Sequence, residues 1–285
     1  MLFLKKVAKV EENEKEDTMS LLSKIFSRRQ KPITVEELKS ALKNKEFVFY
    51  YQPEWDLQTN RAIGVEALMR WESPRRGYVP PMEFIPLLEE SGVIHEFTDF
   101  LFNETLAALV ELHTISPDLF VAVNLSMSQL RERDLIEIIQ QALSKHGIDA
   151  QHLECEFTES QELSDELLSN GVLDKLAELK IPVSIDDFGT GYSSFDRLRQ
   201  MNVRKLKIDL SFIRTLLEDD KNKSIVQSMI KLGHDLGFPV LAEGVETTEQ
   251  QQWLKENGCD YGQGYWFSRA LPLEQLKPFL KENLK

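Results

Sequence analysis

From Thr34 to the C-terminus, short apolar segments alternate with longer stretches of helical periodicity, and few architectures accept that order over so great a length. The strand-like segments run from Phe47 to Gln52, Ala62 to Trp71, Leu119 to Asn124, Leu153 to Thr158, Val183 to Asp187, Leu206 to Asp209, Pro239 to Glu243 and Tyr261 to Phe267. Helical patterns cover Phe84 to Ser91, Ile94 to His113, Leu135 to His146, Glu166 to Leu179, Ser194 to Met201, Ile225 to Leu236, Glu249 to Glu256 and Leu273 to Leu280. An earlier helix opens at Thr34, which with Glu37 reads as a capping box. Eight strands alternating with helices predict an α/β fold, the (β/α)8 TIM barrel. The first two strands are only about 10 residues apart, too close for a helical crossover, so the barrel is modified by one antiparallel strand at its start. This domain covers 32–285 and follows an N-terminal extension, 1–31.

The extension differs in character. Lys5, Lys6 and Lys9 precede acidic residues from Glu11 to Asp17, and Met19 to Arg29 mixes apolar with basic side chains. Two readings stay open, an amphipathic helix that touches a membrane or a partner, or a disordered leader, with Met19 as an alternative start. The chain shows neither a secretory signal nor an apolar run of about eighteen residues, so a cytoplasmic protein is expected. Lys and Arg number 34 against 47 Asp and Glu, a net charge of −13 that argues against DNA binding. The two cysteines, Cys155 and Cys259, read as small buried residues in a reducing compartment.

In a barrel of this kind the active site lies at the C-terminal ends of the strands, where the charged residues of this chain gather. Val183-Ser-Ile185 runs into Asp186-Asp187-Phe188-Gly189, two adjacent carboxylates that repel unless protonated or bridged by cations. Glu66 lies within the second strand, Asn124 ends the third, and Glu156 and Glu159 sit on and after the fourth. Lys207 and Asp209 lie on the sixth strand, Glu243 ends the seventh with Glu246 just beyond, and Gln263 belongs to the eighth. Glu66 and Glu156 stand in apolar surroundings and each needs a cation or a donor; a structural ion pair is an equally simple answer for either alone. Oxygen donors from several strands favour Mg2+ or Mn2+. His95, His113, His146, His152 and His234 all lie elsewhere, against a histidine-rich zinc site. Tyr265, Trp266 and Phe267 read as strand aromatics packed in the core, with stacking on a base as the alternative.

Gly64-Val-Glu-Ala-Leu-Met-Arg-Trp71, Asn124-Leu-Ser, Glu156-Phe-Thr-Glu-Ser160, Asp186-Asp-Phe-Gly-Thr-Gly-Tyr-Ser-Ser194, Lys207-Ile-Asp209, Ala242-Glu-Gly-Val-Glu-Thr247 and Gln263-Gly-Tyr265 together resemble the EAL domain of bacterial cyclic di-GMP phosphodiesterases. The resemblance covers the chain from about residue 35 onward. It implies hydrolysis of cyclic di-GMP to linear pGpG with two Mg2+ or Mn2+ ions per site. Glu66, Asn124, Glu156 and Asp186 would hold one ion, and Asp186, Asp187 and Glu243 the other. Lys207 would orient the attacking water or neutralise charge at phosphorus, Glu246 would support the ligands from behind, and Glu159 would secure the loop after Asp187. That loop would couple contacts in a homodimer to turnover. Gln52, Leu68, Arg70 and Gln263 are assigned to substrate, with the guanidinium fork of Arg70 suited to phosphate oxygens. Two departures from the family pattern, Phe195 for leucine and Arg269-Ala270 for Lys-Pro, remove no ligand. The rival readings are a non-catalytic cyclic di-GMP receptor or scaffold, and a glycosidase with a carboxylate pair.

Overall fold

The computed structural model describes residues 31–158, 171–189 and 203–283 of the chain. Glu159, the predicted helix Ser194 to Met201, the first part of the helix predicted from Glu166, and all of the extension but Lys31 lie outside the described residues.

Helix α1 (Val35–Lys43) starts where the sequence places it, with the Thr34 hydroxyl accepting from the Glu37 N–H at 3.2 Å. Glu37 does not complete a capping box; its carboxylate takes a two-pronged hydrogen bond from Arg76, Nε to Oε1 and Nη2 to Oε2, each 2.7 Å. Strands β1 (Phe47–Asp56) and β2 (Arg61–Ser73) form an antiparallel hairpin, as the short connection requires. A three-residue strand, β3 (Gly77–Val79), extends β2 before α2 (Pro81–Glu90) and α3 (Ile94–His113). Helix α2 begins three residues ahead of the apolar pattern because Pro81 suits the first helical turn.

The alternation continues through β4 (Phe120–Asn124), α4 (Met127–Leu130), α5 (Leu135–His146), β5 (Leu153–Thr158), α6 (Val172–Glu178), β6 (Val183–Phe188) and β7 (Val203–Ile208). It closes with α7 (Leu210–Arg214), α8 (Asp220–Leu236), β8 (Val240–Ala242), α9 (Thr248–Glu256), β9 (Tyr261–Gly262), β10 (Leu271–Pro272) and α10 (Leu273–Asn283). The barrel closes in the order β1-β9-β8-β7-β6-β5-β4-β2-β1. Strand β1 runs antiparallel to both neighbours and the other pairs are parallel, which is the expected modified (β/α)8 barrel.

Outward-facing strand residues meet the helices: Val121, Val123 and Cys155 pack with Leu106, Leu109 and Ile139, and Ile208, Val240 and Ala242 with Val226 and Ile230. The inward face is different. Such interiors are usually filled by branched apolar side chains, yet here Glu54, Glu66, Glu154, Glu156, Lys205 and Lys207 are buried inside. Glu154 with Glu156 and Lys205 with Lys207 sit at a spacing of two, the period that returns a side chain to the same face of a sheet, and Glu54 and Glu66 join them from β1 and β2.

Strand β1 runs past the expected Gln52 to Asp56 and β8 stops at Ala242, short of Glu243, and two further differences bear on the site. Strand β9 stops at Gly262 instead of running to Phe267, because Gly264 takes a φ of 152° and a β-carbon there would lie 2.2 Å from the Val245 carbonyl oxygen. The chain turns, the Trp266 N–H donates to Val245 O at 2.9 Å, and Gln263 lies buried just past the strand. Asp209 also leaves its strand; it caps α7, accepting from the Ser211 N–H at 3.0 Å.

Candidate active site

Adjacent strand residues point to opposite faces, so Asp186 and Asp187 should not both reach the barrel mouth. They do because β6 bulges: its register against β7 shifts between Ile185 and Phe188, and Asp187 takes the left-handed backbone at φ 57°. A bulge re-aims a side chain at a modest cost in backbone strain, which Asp tolerates better than most residues. As a result one oxygen from each of Asp186, Asp187 and Glu243 lies within 4.8 Å of the others.

Lys207 organises the surrounding carboxylates. Its ammonium, fully buried, stands 2.8 Å from Glu156 Oε2, 2.8 Å from Glu243 Oε1, 3.4 Å from Asp186 Oδ1 and 3.6 Å from Glu66 Oε2. A solvated strand-edge lysine is thereby ruled out, and Leu206 faces the helices as the alternation requires. Glu66 is held from two more sides, by Asn124 Nδ2 on Oε1 and Gln263 Nε2 on Oε2, each at 2.7 Å. Burial alone would raise the Glu66 carboxyl, but Lys207 and these two donors outweigh it and hold the group below its ordinary value. Burial wins at Glu156, which is pushed well up despite Lys207, and at Glu243, pushed up to about 8. Asp187 rises to about 6 through burial and the neighbouring Asp186 charge. Burial opposes the Lys207 charge, yet Asp186, Glu156, Glu243 and Glu66 together raise it well above the usual lysine range.

The donor set fits a hard divalent cation. Five carboxyl groups and two amides converge on the mouth around one ammonium, and Asp186 Oδ1, Glu156 Oε1 and Gln263 Oε1 are buried without a hydrogen-bond partner. Acceptor-only oxygens left in that state are what a cation satisfies.

Above the carboxylates opens a cleft of about 330 Å³, lined among others by Gln52, Glu66, Leu68, Arg214, Glu246 and Tyr265. Gln52 donates to Ser268 O at 3.1 Å, and Glu246 is exposed at the rim, with its backbone N–H on Gln250 Oε1. Leu68 also lines a neighbouring, more apolar cavity of about 200 Å³ shared with Arg70, Glu89, Asn124 and Glu156. Arg70 itself lies 5.9 Å over the Tyr50 ring and donates to Met69 O. The expectation of a core Tyr265 is corrected: it is 55% exposed, because the turn at Gly264 swings it outward, and Arg269 stacks 3.9 Å from its ring centroid. Phe267 packs on Trp55.

Glu54, Glu154 and Lys205 were not singled out from the sequence. Each lies two residues from a residue that was, Gln52, Glu156 and Lys207, and that spacing is the signal that would have found them.

Fold and site together define a modified TIM-barrel protein with a carboxylate-rich centre that could hold a cation at the C-terminal mouth of its strands. The EAL domain profile matches residues 35–270, and the chain belongs to that family. It is 40% identical over 246 residues to the signaling protein YkoW of Bacillus subtilis, covering 86% of this chain and 31% of that protein. The bifunctional diguanylate cyclase/cyclic di-GMP phosphodiesterase MucR of Pseudomonas aeruginosa is 38% identical over 84% of this chain and 35% of its own. The chain thus spans about a third of the length of these curated relatives. The solved PaMucR phosphodiesterase in complex with c-di-GMP matches with a TM-score of 0.81 at 37% identity, covering 85% of this chain and 98% of that one.

Proposed function

We propose that this chain hydrolyses cyclic di-GMP to linear pGpG with two divalent ions, Mg2+ or Mn2+, bound at the barrel mouth. The observation that carries the reading is the bulge in β6, which brings Asp186 and Asp187 together with Glu243 into one set of oxygens beside Lys207. Glu66, Asn124, Glu156 and Asp186 would hold one ion, and Asp186, Asp187 and Glu243 the other. The ions would supply Lewis-acid activation of water and neutralise the phosphodiester charge in an in-line displacement.

The protein's own groups do the rest. Asn124 and Gln263 fix the Glu66 carboxylate, and Lys207 fixes Glu156 and Glu243 while placing positive charge where it builds on phosphorus. Gln52 and Gln263 line the larger cleft, Arg70 the neighbouring cavity and Leu68 both, and these residues would bind the dinucleotide. Glu246 at the rim supports the ligand set, and Glu159 would secure the chain after Asp187. The mouth is acidic, so its hold on an anionic diester depends on the ions.

The test is to incubate the chain with cyclic di-GMP and Mg2+ or Mn2+, with and without chelator, and to follow pGpG by chromatography beside Glu66→Ala. Turnover that needs metal and is lost in the variant supports the reading. Tight binding with no product in any condition would make the chain a receptor instead.

A further inference from the structure

Beneath the catalytic carboxylates the barrel holds a second level of buried charge. Lys205, 1% exposed, is ion-paired with Glu54, stands 2.7 Å from Glu154 Oε1 and reaches to 3.8 Å of Glu156 Oε1. Ser184 donates to Glu154 Oε1, and Arg204, on the lower edge of the barrel, places its Nε 3.5 Å from Glu154 Oε2. The level is therefore balanced, Glu54 and Glu154 against Lys205 and Arg204. Glu156 is the point where the two levels meet: Lys205 faces one of its oxygens and Lys207 the other. Glu156 Oε1 has no hydrogen-bond partner, and the Lys205 ammonium stands 3.8 Å from it.

Resting on the phosphodiesterase reading, we propose that Lys205 is a positioning residue, and that its share between Glu54 and Glu156 sets how strongly the ligand set above holds divalent cations. With both Glu54 and Glu154 present, the ammonium is drawn down and leaves Glu156 to the upper level. If Glu54 loses its charge, the ammonium turns to Glu156 and competes with the cation. If Lys205 loses its charge, the surplus negative charge below Glu156 strengthens cation binding and draws Lys207 down, away from Glu243 and Asp186.

The two perturbations thus act in opposite directions, which a packing role would not produce. Glu54→Gln should weaken Mn2+ binding about tenfold or more, the scale of a unit charge moved within about 4–6 Å of a ligand. Lys205→Met should tighten Mn2+ binding and lower kcat about tenfold or more, since a displaced electrostatic group acts on the transition state. The double variant Glu54→Gln/Lys205→Met leaves Glu154 paired with Arg204 and should return to within about threefold of the native protein, because a buried ion pair is replaceable by neutral groups of similar size. Titration calorimetry with Mn2+ alone reads the affinities, and cyclic di-GMP turnover at saturating Mn2+ reads kcat. Should Lys205→Met fail to fold, Glu54→Gln against the double variant makes the same comparison. Mn2+ affinity that is equal in all proteins, or that moves the same way in both single variants, overturns the proposal. Since calorimetry needs no substrate, a native protein without turnover would sink the phosphodiesterase reading alone.

Discussion

Lys207→Met removes a fully buried ammonium that meets Glu156, Glu243, Asp186 and Glu66 at 2.8, 2.8, 3.4 and 3.6 Å. Breaking one side of a buried pair costs about 3–5 kcal/mol. Glu156 and Glu243, already pushed up by burial, take up protons in the variant and hold the loss near the lower figure, about 3 kcal/mol in chelator. A divalent ion stabilises each protein by RT ln(1 + [L]/Kd), so an ion held about thirtyfold more tightly by the variant than by the native protein narrows the gap by about 2 kcal/mol. The variant has no ammonium competing for the same oxygens and gains more from the ion than the native protein does. Urea unfolding followed by tryptophan fluorescence, in chelator and in saturating Mn2+, should show the stability gap closing to about 1 kcal/mol or less with metal. Turnover should nevertheless fall about 10²–10³-fold, since the ion restores stability without restoring the positioned charge. An equal gap in chelator and in Mn2+ would refute the view that Lys207 and the metal answer the same carboxylates.

Asp187→Asn keeps a residue that accepts the left-handed backbone, so chelator-state stability should hold within about 0.5 kcal/mol while calorimetric Mn2+ affinity falls tenfold or more; Asp187→Ala should cost about 1 kcal/mol further. Gly264→Ala drives a β-carbon against Val245 backbone and moves the turn that presents Gln263 to Glu66, so thermal unfolding should show a loss of about 3 kcal/mol. Glu37 is lowered from 4.5 by its two hydrogen bonds from Arg76. A depressed folded value means the pair stabilises above the unfolded carboxylate value and is lost as pH falls through the folded one. Glu37→Gln should therefore cost about 1 kcal/mol at neutral pH and nothing once pH is well below the folded value, as read by urea unfolding across pH.

Much of this protein is legible in its chain because connection lengths and side-chain periods are local properties. The short hairpin between β1 and β2 forces an antiparallel start, and the apolar runs place the barrel strands before any contact is known. Tertiary structure decided what those ends do to one another. Gln263 orients Glu66 across 197 positions and Lys205 meets Glu54 across 151, distances over which no periodicity carries information. The Asp186–Asp187 bulge, the turn that exposes Tyr265, and the diversion of Glu37 from Thr34 to Arg76 likewise arise from neighbours far along the chain. Burial converts the paired charges inside the barrel from a solvated pattern into a coupled network, because only closure of the eight strands removes the water that would screen them.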